Sequence, residues 1–219
     1  MTEIAEPQAS SSPHRPLRIG DVAPQFRART TQGEIALSDY RGRWAVFFSH
    51  PADFTPVCTS EFVSLARAAP QFEAMDCALL GLSVDSLYAH LAWVRAIRER
   101  FEVTVPFPIV EDPSMAIGHA YGMIDANSQD SSAVRATYFI DPDGVIRAMT
   151  WYPMTVGRSV DEMLRMVAAL KRTTSGEVLT PEGWRPGYDI LLPPAQDQAA
   201  AFSAPPEAEW FYRTAPDMP

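Results

Sequence analysis

The chain has 219 residues, of which 47% are hydrophobic, a formal net charge of −9 and only two cysteines. That length suits one domain with its own core plus an extension. The acidic balance, without any Arg/Lys stripe, excludes nucleic acid and anionic membrane as natural partners, and no apolar run approaches the roughly 18–20 residues of a membrane span.

Residues 1–16, "MTEIAEPQASSSPHRP", are polar and rich in Ser and Pro. With no apolar h-region they are not a secretory signal and are expected to form a disordered tail ahead of a domain over 17–175. "WAVFFS", residues 44–49, is a short buried strand. Behind it "TPVCTSEFVSLARAAPQF" opens a helix. Thr55 is placed to cap it and Pro56 to take its first position, where a fixed φ and a missing N–H cost nothing. Phe62, Leu65, Ala66 and Ala69 then recur at helical spacing. "ALLGLSV" (78–84) has the nearly unbroken apolar character of a parallel strand covered on both faces.

Leu87, Leu91, Val94, Ile97 and Phe101 predict an amphipathic helix opened by Asp85 or Ser86. "PFPIV" is a short strand, and "DPSMAIGHAYG" predicts a helix with Asp112 as cap, Pro113 at its first position and Gly122 as stop. "VRATYFI" and "VIRAMTW" flank the turn sequence "DPDG" and predict an antiparallel hairpin. Ser159 and Glu162 form a capping box before Val160, Met163, Leu164, Val167 and Leu170. Parallel βαβ followed by an antiparallel pair under a last helix is an α/β, thioredoxin-like layout. From Gly176 the texture changes: 176–219 is rich in Pro, has little periodicity and carries Trp210, Phe211 and Tyr212 near its end. Such a segment wraps its own domain, wraps a partner subunit or stays disordered; the expectation favoured is a dimer-building arm.

Two cysteines in a chain this long make no disulfide framework, and without an export signal a reducing, cytoplasmic setting is expected. Most unpaired cysteines are buried small hydrophobes. Cys58 departs from that by position. With Thr55 as cap it is the third helical residue, where unpaired backbone N–H groups and the helix dipole favour a thiolate. A helix opening at the C-terminal end of a parallel strand is also where open α/β folds place their sites.

"PADFTPVC" fits the pattern P-x-x-x-T-x-x-C as Pro51, Thr55 and Cys58, and Glu61 extends it to C-x-x-E. With the blocks "LSVDSLYAHLAW", "PFPIVED", "YPMTVGRSVDEMLR" and "TPEGWRPG" in the same order, the chain resembles the peroxiredoxins, in particular their 1-Cys subgroup, from about Leu17 into the arm. The resemblance implies reduction of hydrogen peroxide or an organic hydroperoxide by Cys58, which is left as a sulfenic acid. It implies that Thr55 hydrogen-bonds thiolate and substrate, that Pro51 shields the pocket, that Arg135 is the family's arginine, and that Glu61 and Arg158 aim it. His50 either lines the pocket or packs at a strand end. No cofactor or metal is implied. An external thiol reductant is: thioredoxin, glutaredoxin or glutathione, or a small thiol. The chain is expected to be a homodimer or a ring of dimers.

Thiolate formation alone makes no peroxidase. Lowering a thiol's pKa from about 8.5 to about 6 raises its ionised fraction at pH 7 roughly 30-fold. The accompanying loss of nucleophilicity, at a Brønsted slope of about 0.45, takes back about 13-fold. Donors aimed at the oxygens must supply the rest, each worth on the order of 3 kcal/mol. Thr55 and Arg135 are the candidates.

Cys77 is expected to be structural. The helix from Cys58 carries the chain roughly 20 Å before Cys77 starts the next strand, whereas a disulfide needs Cα atoms within about 7 Å. His14, His90 and His119 read as ordinary residues, and no spacing suits structural zinc, a calcium loop or a nucleotide cofactor. Some relatives carry a lipase-like G-x-S-x-G; "RGRWAVFFSH" at the matching place lacks the serine, so that activity is not transferred. A thiol–disulfide oxidoreductase would want C-x-x-C where this chain has "CTSE". A redox-responsive holdase is the alternative from another class.

Overall fold

The computed structural model describes residues 15–124, 133–203 and 210–217. The tail expected over 1–16, and His14 with it, therefore lies almost wholly outside the described residues. Among these residues fifteen elements follow in chain order. Strands β1 (Arg27–Thr30) and β2 (Gly33–Ala36) and a 3-10 turn over Leu37–Tyr40 come first. Then come β3 (Trp44–Ser49), α1 (Pro56–Ala74), β4 (Cys77–Ser83), α2 (Leu87–Phe101), β5 (Ile109–Glu111) and α3 (Ala116–Ala120). β6 (Arg135–Ile140), β7 (Ile146–Tyr152) and α4 (Val160–Arg172) complete the domain. The extension adds β8 (Ile190–Leu192), α5 (Gln198–Ser203) and β9 (Arg213–Ala215).

Seven strands make one sheet in the order β2-β1-β5-β4-β3-β6-β7. β3, β4 and β5 run parallel and the remaining pairs antiparallel. β3 and β4 are buried at every residue, which is why they read as continuous apolar runs. Val46 and Phe48 face α1, α2 and α4 through Phe62, Trp93 and Val167. Phe47 and Leu80 face the other side with Tyr121 and Tyr138. The β6–β7 hairpin closes through Gly144 at φ 72, a left-handed turn residue whose added Cβ would meet the Arg41 guanidinium at 2.3 Å.

The structure corrects several expectations. The β1–β2 hairpin has no counterpart among the predicted elements, because "RART" and "GEIA" carry no apolar run. α3 starts at Ala116, behind Met115 at φ 61, and Asp112 instead accepts from the Gly118 amide at 2.7 Å. Ser159 caps α4 from the Glu162 amide at 3.2 Å, but the Glu162 carboxylate pairs with Arg165, so only half the capping box forms. On α2 the buried stripe is His90, Trp93 and Ile97, while Leu91 and Phe101 of the predicted stripe are exposed.

The extension folds back onto its own chain for part of its length. Trp184 is buried against Ala169, Val178 and Ile190, its indole N–H donating to the Tyr188 carbonyl at 3.0 Å. β8 and β9 pair antiparallel, and Arg172 on α4 holds Asp217 at 2.6 Å. Trp210, Phe211 and Tyr212 remain exposed.

Candidate active site

The parallel strands β3 and β4 end at Ser49 and Ser83, and α1 begins at Pro56, behind a short turn that leaves β3. β6 runs antiparallel to β3, with Phe48 opposite Thr137, so its first residue, Arg135, lies at that same end of the sheet. Thr55 occupies the capping position of α1 with Pro56 next, which places Cys58 in the first turn as expected. The Thr55 hydroxyl, however, does not cap the helix. It donates back to the Ala52 carbonyl at 2.9 Å, which leaves its oxygen lone pairs free of the helix.

Cys58 has no solvent-exposed surface. Arg135 Nη1 lies 3.4 Å from its Sγ and also donates to Glu61 Oε2 at 2.9 Å, while Arg135 Nε donates to the Met154 carbonyl at 2.9 Å. The guanidinium is thereby fixed in plane at two edges, with a third direction left on the sulfur. Glu61 lies one turn beyond Cys58 on the same helix. Arg158 grips the other side of its carboxylate: the Arg158 amide and Nε donate to Oε1 at 2.8 and 3.0 Å, and Nη2 to Oε2 at 2.7 Å. Arg158 Nη1 reaches the Ala136 carbonyl at 2.9 Å, and its guanidinium sits 5.2 Å over the Phe48 ring. Burial alone would push the Glu61 carboxyl up, but hydrogen bonds and charge from Arg158, with charge from Arg135, hold it below the usual carboxylate range. At Gly157 this loop packs on α1, where an added Cβ would be in ordinary contact with Val57 at 3.4 Å.

Of the residues singled out in the sequence, Cys58, Arg135, Glu61 and Arg158 form one contact network, and Thr55 precedes the same helix at its capping position. Pro51 is buried in the turn before α1. His50 is drawn elsewhere. Its Nε2 pairs with Asp53 Oδ1 at 2.8 Å, and Asp53 Oδ2 pairs with His90 Nδ1 at 2.7 Å. Both imidazoles are fully buried. Burial drives the His50 pKa down more strongly than Asp53 raises it. Burial likewise works to raise the Asp53 pKa, but the two histidines hold it below the ordinary range. Neither Asp53 nor His90 is among the functional residues that the sequence singles out. Between Asp53 and Thr55, Phe54 adopts φ 57 and exposes 60% of its surface.

Cys77 sits at the start of β4, opposite Trp44, at the far end of the strands from Cys58. It is buried, and burial pushes its thiol up to about 12. Both cysteines are free thiols. No helix among the described residues is long and apolar enough to cross a membrane.

Residues 19–149 match the AhpC/TSA family, and residues 169–202 match the C-terminal domain of 1-Cys peroxiredoxin. A peroxiredoxin of Methanosarcina mazei is 43% identical over 189 residues, covering 83% of this chain and 86% of the relative. Peroxiredoxin 2 of Picrophilus torridus is 41% identical over 201 residues, covering 91% and 99%. Among solved structures, a yeast mitochondrial 1-Cys peroxiredoxin superposes with a TM-score of 0.81 at 40% identity, covering 91% of this chain and 99% of that one. A cysteine-to-serine mutant of peroxiredoxin 6 from Arenicola marina gives 0.80 at 30% identity, covering 91% and 98%.

Proposed function

The chain belongs to the AhpC/TSA family of peroxiredoxins and is a thiol peroxidase, and we propose that it runs a one-cysteine cycle on Cys58 with an external thiol as reductant. The observation that carries this reading is Arg135 Nη1 at 3.4 Å from the Cys58 sulfur while the same guanidinium is braced by Glu61 and the Met154 carbonyl. In the proposed step a sulfur electron pair attacks one peroxide oxygen. The O–O bond breaks, its electrons leave on the second oxygen, and that oxygen takes a proton to become water or an alcohol. Sulfur is oxidised to the sulfenic acid and the peroxide is reduced. Arg135 donates to the oxygens as negative charge moves along the S–O–O line, the Thr55 oxygen, whose hydrogen is given to the Ala52 carbonyl, accepts from the peroxide O–H, and Pro51 keeps water out.

Recycling falls to an outside thiol because Cys77 is buried, weakly acidic and at the other end of the sheet. Such a thiol attacks the sulfenic sulfur, releases water and forms a mixed disulfide that a second thiol resolves. The yeast structure is described as showing a thiol resolving mechanism via glutathione/thioredoxin systems, which makes glutathione and thioredoxin the first reductants to try on this chain. A homodimer, or a ring of dimers, in a cytoplasmic setting completes the proposal. Among the described residues β7 has a strand neighbour on one side only, and Trp210, Phe211 and Tyr212 stand exposed on the extension. Stopped-flow oxidation by hydrogen peroxide tests the reading. Wild type should react with one equivalent and yield a sulfenic acid trapped by dimedone, whereas Cys58→Ser should be silent. A rapid, stoichiometric Cys58–Cys77 disulfide would replace the one-cysteine cycle with a two-cysteine one.

A further inference from the structure

The feature that peroxide chemistry leaves unexplained is the buried His50–Asp53–His90 cluster. Its three members come from the end of β3, the turn before α1 and the first turn of α2, and their side chains are 0%, 2% and 0% exposed. An ionised carboxylate only accepts hydrogen bonds, so each imidazole turns an N–H towards Asp53. The opposite nitrogens, His50 Nδ1 and His90 Nε2, are buried and without a hydrogen-bond partner among the described residues. Burying three polar side chains with two ring nitrogens unsatisfied is unfavourable for stability alone.

Its position shows what it can do. Asp53 is followed by Phe54, a bulky residue at φ 57. A side chain in that region costs on the order of 1–2 kcal/mol and persists only where the surroundings impose it. The Asp53 carboxylate takes both histidines, and its amide donates to Asp85 Oδ2 at 3.0 Å, so this one residue is fixed from β3, from α2 and from the loop between β4 and α2. α2 then reaches the other flank of the thiol. Trp93, one turn after His90, donates its indole N–H to Thr59 Oγ1 at 3.3 Å and stacks on His50 at 5.2 Å. The residues on both sides of Cys58 are thus tied to one face of one helix.

We propose that Asp53 and His90 are positioning residues of the peroxidase: through their contact, α2 holds the Pro51–Thr55 turn in the shape that closes over Cys58 and presents Thr55 to the peroxide. Neither residue touches the reacting atoms. The proposal rests on Cys58 being the reacting thiol. Two histidines and a carboxylate whose donor atoms lie within 4.8 Å of one another also suit a divalent cation by residue type. Here the inner nitrogens already spend their N–H groups on Asp53. A metal would move both protons to outer nitrogens that face no acceptor, so the hydrogen-bonded clasp is the state the geometry favours.

The test uses His90→Asn and His90→Gln in a Cys77→Ala background, so that a single thiol is read. Asn places an amide N–H where Nδ1 stands; Gln places it where Nε2 stands, on the side away from Asp53. Two rates are followed at pH 7 well below the unfolding temperature: oxidation by hydrogen peroxide and alkylation by iodoacetamide. With the clasp broken in His90→Gln, the turn should loosen. Peroxide oxidation should fall about tenfold or more, since small misplacements cost that much, while alkylation rises several-fold as the sulfur becomes reachable. His90→Asn should restore both rates to within about threefold of the parent. Core destabilisation would also expose the buried sulfur, so chemical denaturation is run on each variant: the rates should change at a folded fraction equal to the parent's, and rates that simply track the denaturation midpoint overturn the proposal. Equal behaviour of the two variants, or a parallel fall of both rates, overturns the proposal. So does an equivalent of zinc bound to the wild type and lost from both variants. A wild type inert to peroxide would refute the peroxidase reading instead, and alkylation would still judge the clasp.

Discussion

Cys58 and Cys77 are equally sealed from solvent, at 0% and 2% exposure, and occupy opposite ends of the same parallel strands. At Cys77 burial dominates: Lys171 and Arg43 pull its pKa down too weakly to offset it, and the thiol is pushed up to about 12. At Cys58 a guanidinium stands at 3.4 Å and the sulfur sits in the first turn of a helix. Burial is therefore not what separates these two thiols. The difference lies in whether donors converge on the sulfur, and in whether those donors are themselves held.

The most damaging way to break this contrast is to remove what holds the donors. Glu61→Gln leaves two buried guanidiniums facing a neutral amide and should cost about 3–5 kcal/mol of stability, read by chemical denaturation. Peroxide oxidation should fall with it, because Arg135 loses a brace. Arg135→Lys is next. It keeps the charge but not the planar fork, and a single ammonium cannot satisfy Met154, Glu61 and the sulfur together. About a hundredfold loss in the second-order rate with hydrogen peroxide is expected; a near-normal rate would deny Arg135 its role.

Acid should erode the same end of the molecule in two stages. A histidine held below its ordinary 6.5 binds fewer protons folded than unfolded, so His50 makes stability drop as pH falls below about 6.5. Carboxylates held below their ordinary range, as Glu61 and Asp53 are, add a second loss as pH falls through their own folded pKa values. Denaturation midpoints at pH 7.5 and 5.5, and again at a pH below the ordinary carboxylate range, should therefore decline in that order. The smallest effect belongs to the other thiol. Cys77→Ala should cost about 1 kcal/mol and leave the peroxide rate within about twofold, which a stopped-flow comparison can check.

Much of this site is legible in the chain. The strand 44–49, the Thr55–Pro56 helix start and the hairpin around "DPDG" follow from local chemistry. The resemblance carried by "PADFTPVC", Arg135 and Arg158 leads to a set of side chains that do meet. What stays hidden depends on pairings across elements. Apolar spacing on α2 points to Leu87, Leu91 and Phe101, but the chain buries His90 and Trp93, because a polar residue with a partner 37 positions away outweighs apolar periodicity. The β1–β2 hairpin pairs short, charged segments whose register the sheet edge decides. The direction of the Thr55 hydroxyl follows from a turn bent by Phe54, which no spacing announces.

Around the Cys58 sulfur, Arg135, Arg158 and Glu61 sum to one surplus positive charge. That surplus is neutralised by any anion centred on the sulfur, whichever oxidation state supplies it. A sulfinate is such an anion, so the cup also suits the product of a second peroxide hit on the proposed sulfenic acid. Irreversible self-inactivation under excess oxidant, visible as a two-oxygen mass gain on the Cys58 peptide, is the expected companion of turnover here, and the supply of reductant sets the working lifetime of each molecule.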